Sequence, residues 1–211
     1  MNSRTLGCIL VVVLLLGGCF GWVNRPAPKP NQWPIRNLPV GPGPIVCYGD
    51  SLVSGVGASS SRQTYPAQLG QLLGRPVQAQ GTPGETTAGA LASLRDGDGP
   101  KDAPLVVVTL GGNDILARTR LSVTEANLAE IFDLLHARGA VVAFTAIESP
   151  LSGQRGRSLA KLCRRHGVIL VPDLLGDILG EDELMADPIH PNDAGYAIVA
   201  ERIATALRPF L

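Results

Sequence analysis

The chain has 211 residues, long enough for one domain with a sizeable hydrophobic core. Lysine plus arginine and aspartate plus glutamate each number 18, so no net field draws the protein to nucleic acid or to an anionic lipid surface. Aromatic residues make up 4% and form no basic-aromatic cluster for base stacking, so no nucleic-acid partner is expected.

The N-terminus reads as an export segment. Arg4 precedes an apolar run from Leu6 to Leu16, about the length of a signal-peptide core and short for a membrane span. Leu16-Gly17-Gly18-Cys19 resembles a bacterial lipobox, which implies cleavage before Cys19 and a diacylglyceryl anchor on its thiol. Ordinary signal cleavage and an uncleaved anchor reaching Val23 are the alternatives; all three export the rest of the chain. Residues 19–43 then form a tether. Asn24 to Pro44 holds seven prolines and two glycines, a composition that supports neither a regular helix nor a sheet ladder.

From Pro44 the pattern alternates. Ile45–Tyr48, Val77–Gln80, Leu105–Leu110, Val141–Ile147 and Val168–Val171 are apolar runs suited to buried parallel strands. Between them, Thr64 caps a helix with Pro66 in its first turn and Leu69, Leu72 and Leu73 facing inward. A weaker helix spans Thr86 to Leu94, and Ser122-Val123-Thr124-Glu125 reads as a capping box. Arg157 to His166 forms a helix ending at Gly167, and Asn192 or Asp193 caps the last one. His136 is expected on a solvated helix face and His166 at a helix C-terminus. Strand-helix alternation predicts an α/β domain over residues 44–211, with a parallel sheet and helices on both faces. Of the four cysteines, Cys47 and Cys163 are expected as buried free thiols, and no Cys/His spacing suits a metal.

Three segments carry chemistry. Val46-Cys47-Tyr48-Gly49-Asp50-Ser51-Leu52 lifts a serine from a strand end; Leu110-Gly111-Gly112-Asn113-Asp114 ends another strand; Asp187-Pro188-Ile189-His190-Pro191-Asn192 lies near the C-terminus. A hydroxyl, an amide side chain and a carboxylate-imidazole pair are the parts of an acyl-transfer site. Ser51 is the candidate nucleophile, His190 its base and Asp187 the group that orients the ring. The structural alternatives are a turn serine at 51, a loop histidine at 190 and a Pro83-Gly84 type II turn. Ser51 is not in G-x-S-x-G, the glycines after it lack the Lys-Ser/Thr of a phosphate loop, and Asp96-Gly97-Asp98-Gly99 lacks the remaining calcium-loop ligands.

The order and spacing of these segments resemble the SGNH (GDSL) hydrolase family, from Pro44 to the end of the chain. Gly49-Asp50-Ser51-Leu52, Pro83-Gly84-Glu85-Thr86-Thr87 and Leu110-Gly111-Gly112-Asn113-Asp114 are most similar to its arylesterase and lysophospholipase-like branch. The resemblance implies a flavodoxin-like three-layer α/β/α fold with five parallel strands in the order 2-1-3-4-5. It also implies an oxyanion hole made by the backbone N–H groups of Ser51 and Gly84 and the side chain of Asn113. Gln80 and its neighbours Ala79 and Gly81 stand where the family often has asparagine.

The expected activity is hydrolysis of carboxylic esters or thioesters, including lysolipids and small aryl esters, with no cofactor or metal. Ile115, Leu116, Ile147, Pro150 and Leu151 are expected to wall the acyl pocket. A carbohydrate acetyl esterase, an acyltransferase and a non-catalytic binding lipoprotein are the rival readings.

Overall fold

The structure is a computed structural model and describes residues 31–147 and 153–211. The proposed export segment and Cys19, Pro150 and Leu151 therefore lie outside the described residues. Five strands, β1 (Ile45–Gly49), β2 (Val77–Gly81), β3 (Leu105–Thr109), β4 (Val141–Thr145) and β5 (Ile169–Val171), form one parallel sheet. Their order is β2-β1-β3-β4-β5, as the resemblance implied.

The seven helices among the described residues are α1 (Ser51–Ser54), α2 (Tyr65–Leu73), α3 (Thr87–Arg95), α4 (Gly112–Leu116), α5 (Leu121–Ala137), α6 (Gly153–His166) and α7 (Asp193–Leu207). Alternate residues of β1, β3 and β4 point to opposite faces. Val46, Tyr48, Val106, Val108, Val142 and Phe144 pack beneath α3, α5 and α6. Ile45, Cys47, Leu105, Val107, Val141 and Ala143 pack against α1, α2 and α7. Each large aliphatic side chain so enclosed contributes about 1.5–3 kcal/mol through removal from water. Both faces being covered explains why β1, β3 and β4 are buried at every position and mostly apolar, rather than apolar at alternate positions.

Four local expectations are corrected. Val77–Gln80 was expected to be buried, but β2 is an edge strand, half-covered, with Gln78 and Ala79 exposed. Leu72 is 42% exposed, because Leu69 alone of its helix's leucines reaches the core fully. The Ser122–Glu125 capping box does not form; α5 begins at Leu121, inside which Ser122 already lies, and Arg120 takes the cap position. His136 is buried, not solvated: its Nδ1 faces the Ala140 carbonyl and its Nε2 the His166 carbonyl, each at 3.1 Å. The tertiary approach of α6 to the end of α5 creates that environment, which periodicity within α5 cannot reveal.

Residues 31–43 run across the sheet at the N-terminal ends of its strands. Asn31 pairs with both the N–H and the carbonyl of Leu170, and Trp33 Nε1 donates to the Val168 carbonyl. Asn37 Nδ2 donates to the carbonyls of His136 and Ala140, and Arg75 donates to those of Gly41 and Gly43. The chain thus enters the domain at the end of the sheet opposite Ser51. Cys47 and Cys163 are buried free thiols, and burial pushes Cys47 up to about 12, far from a reactive thiolate. Among the described residues no helix is long and apolar enough to cross a membrane.

Candidate active site

Ser51 owes its position to two backbones that nearly touch. At the end of β1, Asp50 N–H donates to the Thr109 carbonyl at 3.2 Å, and a Cβ on Gly49 would overlap that same oxygen. The chain then turns at once into α1. Asp50 caps this helix, its Oδ1 accepting the Leu52 N–H at 3.0 Å. Ser51 is thereby placed in the first helical position, half-buried, beyond the C-terminal end of the sheet, where ligands of such folds bind.

His190 and Asp187 come from the loop before α7. Ser51 Oγ lies 3.0 Å from His190 Nε2, and His190 Nδ1 lies 2.7 Å from Asp187 Oδ2. A carboxylate only accepts, so Nδ1 carries the hydrogen and Nε2 turns its lone pair to the serine hydroxyl. The other Asp187 oxygen accepts the backbone N–H groups of Ile189 and His190, both at 2.9 Å. The His190 ring and these N–H groups hold the Asp187 carboxyl down at about 2, so it is ionised at any working pH. Asn192 ends the loop by accepting from the N–H groups of Ala194 and Gly195, which starts α7.

Gly84 and Asn113 converge on the same end of the sheet. Glu85 N–H donates to the Thr82 carbonyl at 3.0 Å, and Gly84 has φ +81, as a type II turn requires at its third position. Asn113 Nδ2 donates to the Glu85 carbonyl at 2.8 Å with one hydrogen and retains a second. The N–H groups of Ser51 and Gly84 have no hydrogen-bond acceptor among the described residues. Asp114, buried, serves the loop instead: it accepts from the N–H and hydroxyl of Thr87 and from the hydroxyl of Thr124.

Residues 47–198 match the model of the GDSL-like lipase/acylhydrolase family. The chain belongs to that family. As a member it is a hydrolase acting on esters. It is 31% identical over 181 residues to the esterase TesA of Pseudomonas aeruginosa, across 79% of this chain and 89% of that protein. Among solved structures, a TesA crystal structure superposes with a TM-score of 0.71 at 29% identity, covering 80% of this chain and all of the other. AlinE4, an esterase of the SGNH-hydrolase family, gives a TM-score of 0.61 at 26% identity, over 80% of this chain and 94% of its own.

In this acylhydrolase, Ile115 and Ile147 line a small cavity with Leu110, Phe144 and Leu159. Leu116 is outside that lining and 60% exposed. A wider groove between β5 and α7 is lined by Leu170, Ile198 and Phe210 among others, away from Ser51 and His190. Where the family often has asparagine, Gln80 and Gly81 continue β2, and Thr82 N–H donates to the Gly49 carbonyl at 2.9 Å. The backbone supplies a bond between these two loops. Among the described residues no cluster of three or more His, Cys, Asp or Glu could hold a metal ion.

Sequence reasoning did not single out Asp50, Gly57, Ser59 or Tyr196. Asp50 is 3% exposed, and burial pushes its carboxyl up to about 6 against the pull of the Leu52 N–H and His190. Its adjacency to Ser51 was the available signal. The other three gain their place only through contacts across the fold.

Proposed function

We propose that this acylhydrolase cleaves carboxylic esters and thioesters through an acyl intermediate on Ser51. The observation that carries the reading is the hydrogen-bonded line from Ser51 Oγ through His190 to Asp187. His190 Nε2 takes the hydroxyl proton as Oγ attacks the carbonyl carbon. The N–H groups of Ser51 and Gly84 and the free Asn113 hydrogen receive the negative charge on the former carbonyl oxygen. The imidazolium, stabilised by ionised Asp187, returns its proton to the departing alcohol or thiol. Water then repeats the attack on the acyl-Ser51, His190 again taking a proton, and the carboxylic acid leaves.

An apolar acyl group is the substrate feature best supported. Ile115 and Leu116, which follow Asn113 by two and three positions, and Ile189, next to His190, are 37%, 60% and 44% exposed. Such large apolar side chains beside a polar site suit an acyl chain, as in a lysophospholipid or an aryl ester. The likeness to the esterase TesA supports ester substrates.

A series of p-nitrophenyl esters from acetate to palmitate, with a lysophospholipid alongside, tests the reading on the residue 24–211 fragment. Ser51→Ala should abolish turnover on all of them. Asn113→Ala should lower kcat by about 10²–10³-fold with little change in KM, the usual loss for one oxyanion donor. Turnover surviving in Ser51→Ala would end the acyl-serine proposal. An optimum at acetate would redirect it to acetylated carbohydrates.

The export reading is a proposal of the same kind, supported by Arg4, the Leu6–Leu16 run and Leu16-Gly17-Gly18-Cys19. A lipid on Cys19 would hold the enzyme at a membrane outside the cytoplasm. Cys19→Ser should move the full-length protein from the detergent-soluble membrane fraction to the soluble one. Unchanged membrane partition would favour an uncleaved anchor.

A further inference from the structure

Ser51 and His190 are separated by 139 positions and sit on different elements. The His190 turn is closed on itself: Ala186 N–H donates to the His190 carbonyl at 2.9 Å, and Met185 bridges to Pro191. Those bonds shape the turn but do not locate it relative to the nucleophile.

Three contacts do, and all converge on the loop that follows α1. Gly55 and Val56 both donate their N–H to the Ser51 carbonyl at 3.0 Å, so the loop starts from the nucleophile's own backbone. Tyr196 of α7, fully buried, donates its hydroxyl to the Val56 carbonyl at 2.6 Å. Asp193 accepts from Ser59 twice, from the N–H at 2.7 Å and the hydroxyl at 2.5 Å. Between them Gly57, at φ +95, lies flat on the histidine turn: a Cβ there would come to 2.5 Å from the Pro191 oxygen and 3.3 Å from His190 Cβ. The loop is therefore in contact with Ser51 at one end and with both flanks of His190 at the other.

We propose that the Val56–Ser59 loop is the staple that sets the Ser51–His190 distance, with Ser59 and Tyr196 as positioning residues and Gly57 as the close-contact point. Proton transfer needs the ring nitrogen within hydrogen-bond reach, and a misplacement of about 1 Å costs about 10²-fold in rate. The acidic Asp193 also sits in the first turn of α7, where a carboxylate favours the helix dipole. A purely structural role of that sort would alter stability without altering the chemical step.

The proposal rests on the reading of Ser51 and His190 as nucleophile and base. The test compares Ser59→Ala, Tyr196→Phe and Ser59→Thr with the wild-type protein by kcat and KM on a short p-nitrophenyl ester. The rate at which an alkyl phosphonate labels Ser51, and the melting temperature, are measured on the same samples. Ser59→Ala and Tyr196→Phe should each lose about 10- to 100-fold in kcat and in labelling rate, with KM nearly unchanged. Ser59→Thr, which keeps the hydroxyl, should recover most of both rates. Wild-type kcat in folded Ser59→Ala and Tyr196→Phe would overturn the staple, as would a kcat loss with labelling at the wild-type rate. Failure of the underlying reading is distinguishable, because the wild-type protein itself would then resist phosphonate labelling at Ser51.

Discussion

His190→Ala should lower kcat by about 10⁴–10⁶-fold, and adding Ser51→Ala to it should cost almost nothing more, because nucleophile and base act as one unit. The reason lies in the 3.0 Å contact between Ser51 Oγ and His190 Nε2. A serine hydroxyl without a neighbouring base keeps its proton and attacks esters hardly better than water. Asp187→Asn is the sharper probe of the same chain. Its oxygen can keep the two bonds from the Ile189 and His190 N–H groups that Asp187 accepts now. The new amide nitrogen would then face His190 Nδ1, which must become the acceptor. The ring hydrogen moves to Nε2 and points at Ser51, so the base is lost with the geometry intact. A loss of about 10⁴-fold in kcat with an unchanged melting temperature is expected. Single-turnover hydrolysis of a p-nitrophenyl ester by each variant measures it. Percent-level activity in His190→Ala would show that the ring is not the base.

Asp50→Asn should make the protein more stable and less active. Burial raises the Asp50 carboxyl from 3.8 to about 6, so the folded state holds its proton more tightly than the unfolded chain does. For an acid shifted upward, the stabilisation is present in full below 3.8 and is lost as pH rises through about 6. Above that range the ionised, buried carboxylate costs the fold about 3 kcal/mol. The groups that bear on it are His190, which favours its charge, and Asp114, which opposes it. Tyr65 and Tyr196 also face it, and its charge helps to push both of their hydroxyls up. Asparagine keeps the cap on the Leu52 N–H without the charge. At pH 8 the variant should melt about 5–10 °C above wild type, a gain that shrinks towards zero at pH 4. Its kcat should fall, since the variant loses the carboxylate's attraction for the His190 imidazolium that forms in the transition state. A melting gain equal at pH 4 and pH 8 would mean that ionisation of Asp50 is not its source.

A charged group therefore stands beside the proposed nucleophile in spite of its cost to the fold. A stability optimum would place a neutral residue there, and sites that perform chemistry commonly depart from such optima.

Much of the fold was legible in the chain because its signals are local. Mostly apolar runs over β1, β3 and β4 announce strands covered on both faces, and Asn192 marks the start of α7 with its own side chain. Ser51, Asn113 and His190 were legible for a related reason: each stands in a short run whose glycines, prolines and polar residues fix a loop at a strand or helix end. Gly84 could be read as a turn because positive φ is a property of one residue.

What the tertiary structure decided is everything that depends on which elements meet. The burial of His136 follows from the approach of α6, and the exposure of β2 from its place at the sheet edge. The raised Asp50 carboxyl follows from its burial in the fold, with Asp114 from a distant loop opposing its charge. The Ser59–Asp193 and Tyr196–Val56 bonds join positions 134 and 140 apart. Local pattern in a sequence records the conformation of a few consecutive residues and their preference for water or core. Distance between remote side chains, and the desolvation that shifts a carboxyl, arise only when the packed layers bring them together.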